Sequence, residues 1–192
     1  VTPVVCLITD RSRGGEDATV ERVRWAAGAG VHLVQVRERD LDGGPLTALV
    51  RRCVDAVRGS RARVLVNDRV DVALAAGAHG VHLRADSMPA ARVRAICPQG
   101  FLVGRSVHAR DEAIAAAAAG GLDYLLFGTV FATTSKPGRA PAGLDALAEV
   151  ASAVTIPVLA VGGVTPDTVN EVVLAGAAGF AAIGMFAAAP RP

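Results

Sequence analysis

Short apolar runs and longer amphipathic stretches alternate along this chain from one end to the other. Residues 4–9, 31–36, 63–66, 80–83, 102–105, 124–127, 157–161 and 179–183 read as strands. They are rich in Val, Leu and Ile at successive positions, the pattern of strands buried on both faces of a parallel sheet. Between them, residues 18–29, 45–57, 70–76, 88–96, 111–119, 144–153 and 166–175 have helical spacing, with Val20, Val23 and Ala27 on one side of the first. Ala-Gly pairs recur before strands, at Ala29-Gly30, Ala76-Gly77, Ala119-Gly120 and Ala175-Gly176. Each suits a helix end in the left-handed conformation.

Strands alternating with helices of this length imply parallel βαβ units. Eight of them predict a closed (β/α)8 TIM barrel, α/β in class, formed by residues 1–192 as one domain. An open doubly wound sheet is the alternative, but no G-x-G-x-x-G follows the first strand. After the eighth strand, Phe186 to Pro192 are too few for a full helix, so the expected barrel lacks its last one.

Composition narrows the picture. Apolar residues make up 52% of the chain and aromatics only 4%, so the core must be built from Val, Leu, Ile and Ala. Twenty basic residues against 18 acidic ones give +2, with no long basic run, which argues against nucleic acid as a partner. Cys6, Cys53 and Cys97 are widely spaced without a C-x-x-C pair; they read as core or helix residues in a reducing compartment. No apolar run has membrane-spanning length, and no basic-then-apolar leader opens the chain. The expectation is a cytoplasmic protein with no membrane partner.

In a barrel, chemistry sits in the loops after the strands, and polar residues gather there. In Val34-Gln35-Val36-Arg37-Glu38-Arg39, a period of two puts Gln35, Arg37 and Arg39 on one face, pointing inward near the mouth. Paired guanidiniums there suit phosphate oxygens, with interior salt bridges as the alternative. The third strand runs into Asn67-Asp68-Arg69, where Asn67 offers an amide and Asp68 a hard oxygen for a divalent cation; both also suit a helix cap. Asp86-Ser87 before Pro89 reads first as a helix cap and second as a metal site. His82 reads as a packed barrel histidine, and His32 and His79 lie at strand entrances.

Ser106, in Gly104-Arg105-Ser106-Val107-His108, is placed to donate to a ligand; His108 caps the next helix or acts as an acid–base group. The loop Thr133-Thr134-Ser135-Lys136-Pro137-Gly138 offers hydroxyls, backbone N–H groups and one mobile cation, suited to a phosphate, with an ordinary polar turn as the alternative. Gly162-Gly163 and Ile183-Gly184-Met185 leave bare backbone after the last two strands, where barrels commonly bind phosphate. Two such regions imply substrates carrying more than one phosphate between them. No Ser/His/Asp or Cys/His nucleophile arrangement is recognisable.

In order and spacing, these motifs resemble the thiamine phosphate synthase and thiazole tautomerase superfamily over nearly the whole chain. The matching stretches are Gln35-Val-Arg37-Glu-Arg39, Asn67-Asp68-Arg69-Val-Asp71, Gly80-Val-His82-Leu, Gly104-Arg-Ser106-Val-His108, Phe127 to Lys136, Gly143-Leu144 and Ile156 to Gly163. The resemblance implies a (β/α)8 barrel and an enzyme of thiamine biosynthesis. Its synthases join hydroxymethylpyrimidine diphosphate to a thiazole phosphate and release pyrophosphate. It implies that Gln35, Arg37, Arg39, Asn67, Ser106 and Lys136 hold the pyrimidine diphosphate. It assigns Mg²⁺ to Asp68, with Asp86 as the substitute second ligand, and the thiazole phosphate to Thr133, Thr134, Ser135, Gly163, Ile183 and Gly184. A homodimer is expected on the same ground.

The chain differs from the synthase pattern at Arg39, usually Lys, and at Ser87, usually an Asp metal ligand. It differs also at Arg84-Ala85, usually Gly-Gln, and at Gly184, usually Ser. The tautomerase branch isomerises a thiazole carboxylate phosphate with a His where this chain has Thr129, which is no comparable base. Arg37-Glu38-Arg39 and the run from Gly104 to His108 are closer to that branch; Asp68 and the Thr-Thr-Ser-Lys loop favour the synthase. A synthase is the expected activity, with a tautomerase and a non-catalytic thiamine-precursor binding protein as alternatives.

Overall fold

The apolar runs form strands because they can be covered on both faces. In the computed structural model, which describes residues 2–133, 138 and 140–187, the strands are β1 (Val4–Ile8), β2 (Leu33–Val36), β3 (Arg63–Asn67), β4 (Gly80–Leu83), β5 (Leu102–Val107), β6 (Tyr124–Gly128), β7 (Val158–Val161) and β8 (Gly179–Ala182). Each pairs in parallel with its successor, and β8 closes onto β1. This is the expected eight-stranded barrel.

Successive side chains fall into two compartments, as a period of two requires. Val34, Val36, Val64, Val66, Leu125 and Phe127 point outward into a continuous layer under the helices. Cys6, Ile8, Leu33, Leu65, Tyr124, Leu126, Leu159 and Ala181 point inward and fill the barrel. Each fully buried Val or Leu contributes roughly 1.5–3 kcal/mol of transfer free energy, so the outer layer is the main source of stability.

The surrounding helices are α1 (Gly15–Gly28), α2 (Gly43–Ala56), α3 (Val70–Ala75), α4 (Ala90–Ile96), α5 (Arg110–Ala118), α6 (Gly143–Ala153), α7 (Val169–Leu174) and a short α8 (Gly184–Ala187) after β8. The Ala-Gly pairs end helices as expected: Gly30 and Gly176 sit at φ 92° and 91°. α7 starts three residues later than its spacing predicts, because Thr165 and Thr168 close a turn first, the Thr165 N–H donating to Thr168 Oγ1 at 3.0 Å.

His32 and His79 have structural work at the strand entrances. His32 Nδ1 accepts the Val5 N–H at 3.1 Å, and His79 Nδ1 accepts the Val64 N–H at 3.0 Å. The side chain of His32 thus takes a bond the ladder would otherwise supply, and β2 begins at Leu33 rather than at Val31. Cys6 and Cys53 are buried free thiols, and burial pushes each up to about 12. They are core residues, as composition implied. Among the described residues no helix is long and apolar enough to cross a membrane.

Candidate active site

The mouth at the C-terminal ends of the strands opens into a cavity of about 580 Å³. Gln35, Arg37, Arg39, Asn67, Asp86, Ser106, Thr133, Gly163, Ile183 and Gly184 all line it. These come from seven different strand ends or the loops behind them, so only barrel closure brings them together. Thr134, Ser135 and Lys136 lie outside the described residues.

The arginine row follows from how β2 ends. Glu38, between the two arginines, turns the other way and is 8% exposed. Its carboxylate accepts the Thr9 hydroxyl at 2.5 Å and the Arg11 N–H at 3.1 Å. Thr9 Oγ1 in turn accepts the Arg37 N–H at 3.0 Å. The end of β2 is thereby pegged to the end of β1, with both guanidiniums left on the cavity side. Neither Arg37 nor Arg39 forms an ion pair among the described residues, so the salt-bridge alternative does not hold there. Burial lowers the Arg37 pKa, and the neighbouring Arg39 lowers it further. Two crowded cations facing a cavity are a place for an anion.

Glu38→Gln is expected to destabilise the fold by about 2 kcal/mol, since it weakens two charge-assisted bonds at a buried site. Thermal unfolding should show a midpoint lower by roughly 4–8 °C; an unchanged midpoint would remove Glu38 from this role.

Beside the arginines, Gln35 Nε2 donates to Asn67 Oδ1 at 3.0 Å. Gln35 is 2% exposed, and its Oε1 has no hydrogen-bond partner among the described residues. A buried acceptor without a donor is costly, and here it borders the cavity, where a ligand N–H can satisfy it.

Asp68 occupies the left-handed region at φ 62°, which Asp and Asn tolerate better than most residues. Asn67 and Asp68 do not cap α3: its cap position is Arg69, with no side-chain cap bond. The Ser87 hydroxyl donates to Asp68 Oδ1, and Arg84 Nη1 stands 3.6 Å from Asp68 Oδ2. Asp86 turns instead to Arg84, whose Nε donates to Oδ1 at 2.9 Å and whose Nη2 donates to Oδ2. Asp86 and Ser87 are not helix caps either, because α4 is entered through Pro89. Ser87 Oγ instead accepts the Arg84 N–H at 2.9 Å, closing the loop on itself. Arg105, on the outer face of β5, donates to the carbonyls of Ala85, Ser87 and Met88 and holds that loop in place.

Among the described residues no group of three or more His, Cys, Asp or Glu side chains converges on a metal position. The hard oxygens that do converge are the Asp68 carboxylate and the Ser87 hydroxyl. One carboxylate with a neutral oxygen fits Mg²⁺, which commonly completes its shell with water and substrate phosphate. It would not fit a metal needing a full protein cage.

His82 is fully buried, as expected, with Nδ1 2.9 Å from the Tyr124 hydroxyl and Nε2 2.8 Å from Ser106 Oγ. Burial, together with Arg105 and Arg37, lowers its pKa to about 3, so it is neutral. His108 does not cap α5, whose cap position is Ala109. Its Nδ1 lies 2.6 Å from the Gly128 carbonyl, so it carries the proton and donates, and the ring borders the cavity. Thr129, next in sequence, is 4% exposed and also lines the cavity.

On the far wall, Gly162 and Gly163 have φ values of 101° and 66°. A Cβ on Gly163 would lie 2.4 Å from the Ala132 carbonyl oxygen. The Phe131 N–H donates to the Gly162 carbonyl at 3.0 Å and the Val130 N–H to Val161 at 2.9 Å. The loop after β6 therefore lies directly against the loop after β7. The residues that sequence reading passed over are Tyr124, Arg105 and the Thr9–Glu38 peg. Their signals were an inward aromatic, an arginine on an outward strand position, and a carboxylate between two arginines.

Comparisons with known proteins identify the family. Residues 5–186 match the family model described as thiamine monophosphate synthase. A protein of Geobacter sulfurreducens named putative thiamine-phosphate synthase is 44% identical over 187 residues, covering 97% of this chain and 87% of that one. The thiamine-phosphate synthase of Methanoculleus marisnigri is 40% identical, covering 92% and 84%. Among solved structures, thiamine phosphate pyrophosphorylase from Pyrococcus furiosus superposes with a TM-score of 0.85 at 34% identity, covering 97% and 88%. A 3-hexulose-6-phosphate synthase at 18% identity and TM-score 0.72 shares the fold alone. A matching family model, sequence and fold over nearly the full length place this chain in the thiamine monophosphate synthase family.

Proposed function

We propose that the protein couples hydroxymethylpyrimidine diphosphate to hydroxyethylthiazole phosphate and releases pyrophosphate. The observation that carries this reading is the pair Arg37 and Arg39, unpaired among the described residues and facing a cavity beside the orphan acceptor Gln35 Oε1. The guanidiniums suit a diphosphate, and the acceptor suits an N–H of an amino-bearing ring.

In the reaction the bond from the pyrimidine methylene carbon to the diphosphate oxygen breaks, and pyrophosphate leaves with the electron pair. The resulting pyrimidine-stabilised cation is captured by the thiazole nitrogen lone pair, forming the C–N bond. No covalent nucleophile is needed. Catalysis then rests on positioning and on fixed charge at the leaving group. Arg37 and Arg39, with Lys136, neutralise the departing pyrophosphate, while Gln35 and Asn67 orient the ring. Ser106 donates to the same substrate. Gly163, Ile183 and Gly184, with Thr133, Thr134 and Ser135, receive the thiazole phosphate against bare backbone.

Mg²⁺ held by Asp68, with the Ser87 hydroxyl beside it, would add electrostatic stabilisation of the leaving group. Asp86, the other candidate ligand, is held by Arg84 and is the weaker assignment. The setting is taken to be cytoplasmic, with association into a homodimer.

The test is pyrophosphate release from the two substrates with and without Mg²⁺. Metal-dependent release with thiamine phosphate formed is the expected outcome. No release, together with isomerisation of a thiazole carboxylate phosphate, would replace this reading with the tautomerase; the placement of His108 beside Thr129 is the observation that makes that assay worth running. Binding without either reaction would make the protein a thiamine-precursor binder.

A further inference from the structure

Ser106 is not held by its own strand alone. His82 on β4, Gly104 on β5 and Tyr124 on β6 are direct neighbours in register, His82 opposite Gly104 and Gly104 opposite Tyr124. All three point into the barrel. A Cβ on Gly104 would lie 2.1 Å from Tyr124 Cζ, so the missing side chain is the slot in which the phenol ring sits. Through that slot the Tyr124 hydroxyl reaches across a whole strand to His82 Nδ1, with the two rings 5.6 Å apart. Ser106, two residues beyond Gly104 on the same face, meets the other ring nitrogen.

The protons in this row can be assigned by counting donors. Tyr124 is buried, 6% exposed, and among the described residues the one partner of its hydroxyl is His82 Nδ1. Its proton must therefore point at that nitrogen, or it would be buried without an acceptor. Nδ1 is then the bare nitrogen, and a neutral imidazole carries its proton on Nε2. That N–H donates to Ser106 Oγ. With an oxygen already accepting from His82, the serine's own proton is directed away from the ring, toward the cavity that Ser106 lines.

We infer that Tyr124 and His82 are positioning residues which fix the Ser106 hydroxyl as a donor to the bound substrate. In the opposite tautomer, Nε2 would accept from Ser106, and the serine would turn its proton into the wall and offer the substrate only lone pairs. Those would repel a diphosphate. The three-strand row therefore decides the sign of the contact that Ser106 makes. The consequence for catalysis rests on the synthase reading; the tautomer does not.

Two measurements test this. In ¹⁵N-histidine-labelled protein, the long-range nitrogen–proton NMR pattern of His82, assigned by comparison with His82→Gln, should be that of a neutral ring protonated at Nε2. A ring protonated at Nδ1 would overturn the inference whether or not the protein is a synthase. In the coupling assay, Tyr124→Phe is expected to lower kcat/KM by about tenfold, the scale of one lost hydrogen bond. In a Ser106→Ala background the same substitution should change kcat/KM by less than about twofold, because contacting residues are non-additive where one acts through the other. A full tenfold loss in that background would show a merely structural role for Tyr124 and would sink the proposal.

Discussion

Asparagine at Asp68 is expected to lower Mg²⁺-dependent pyrophosphate release by on the order of 10³-fold, at the upper end of what removing one transition-state stabiliser costs. Asparagine is the informative replacement because the residue sits at φ 62°. Alanine there would add backbone strain, whereas Asn tolerates the left-handed region about as well as Asp. Asn also keeps an Oδ1 that can accept from the Ser87 hydroxyl, so the loop after β4 retains its tie to the loop after β3. What is lost is the negative charge on which the proposed Mg²⁺ site depends. The thermal midpoint should stay within a few degrees of the parent, roughly the shift of 1 kcal/mol or less. Turnover at the parental rate with Mg²⁺ present would remove Asp68 from the metal site. A large fall in midpoint would instead identify Asp68 as a structural residue.

Alanine at Gly163 is expected to destabilise the protein by about 3 kcal/mol and to weaken the thiazole phosphate site at the same time. The backbone there has φ 66°, which costs an L side chain roughly 1–2 kcal/mol. The added methyl would also lie 2.4 Å from the Ala132 carbonyl oxygen and 2.7 Å from Phe131 Cβ, so the loop after β6 must move. Overpacking of this kind typically costs a further 1–3 kcal/mol. The midpoint should fall by roughly 6–12 °C. KM for the thiazole phosphate should rise severalfold, with KM for the pyrimidine diphosphate much less affected, because Gly163 follows β7 and Arg37 follows β2, three strands apart round the barrel. A variant with parental stability and unchanged thiazole KM would mean that the two loops are not in the contact described.

Much of this molecule is written locally. Runs of Val, Leu and Ile four to six residues long can only be buried on two sides, so eight parallel strands follow from them. The two-residue period through Val34-Gln35-Val36-Arg37 already separates residues under the helices from residues at the mouth, and the structure keeps that separation. Short polar residues ahead of a helix were a weaker guide. Asp86, Ser87 and His108 each carry a side chain suited to an N-cap, yet each finds a partner on another element or within its own loop. An N-cap bond is worth about 1 kcal/mol, and a bond to a buried or charged group competes well with it.

By itself, then, the sequence determined the eight strands and the first seven helices to within a few residues, and which side of the second strand faces the mouth, because these depend on periods of a few residues. Tertiary structure alone decided who meets whom across the mouth. Nothing in the local pattern says that Glu38 leaves its two arginines for Thr9, or that Arg84 takes Asp86 while Asp68 takes Ser87. Nor does it say that Tyr124 reaches His82 through the space a glycine leaves open. Those partners lie on different strands, and their distances exist only once the barrel has closed and fixed the register between neighbours.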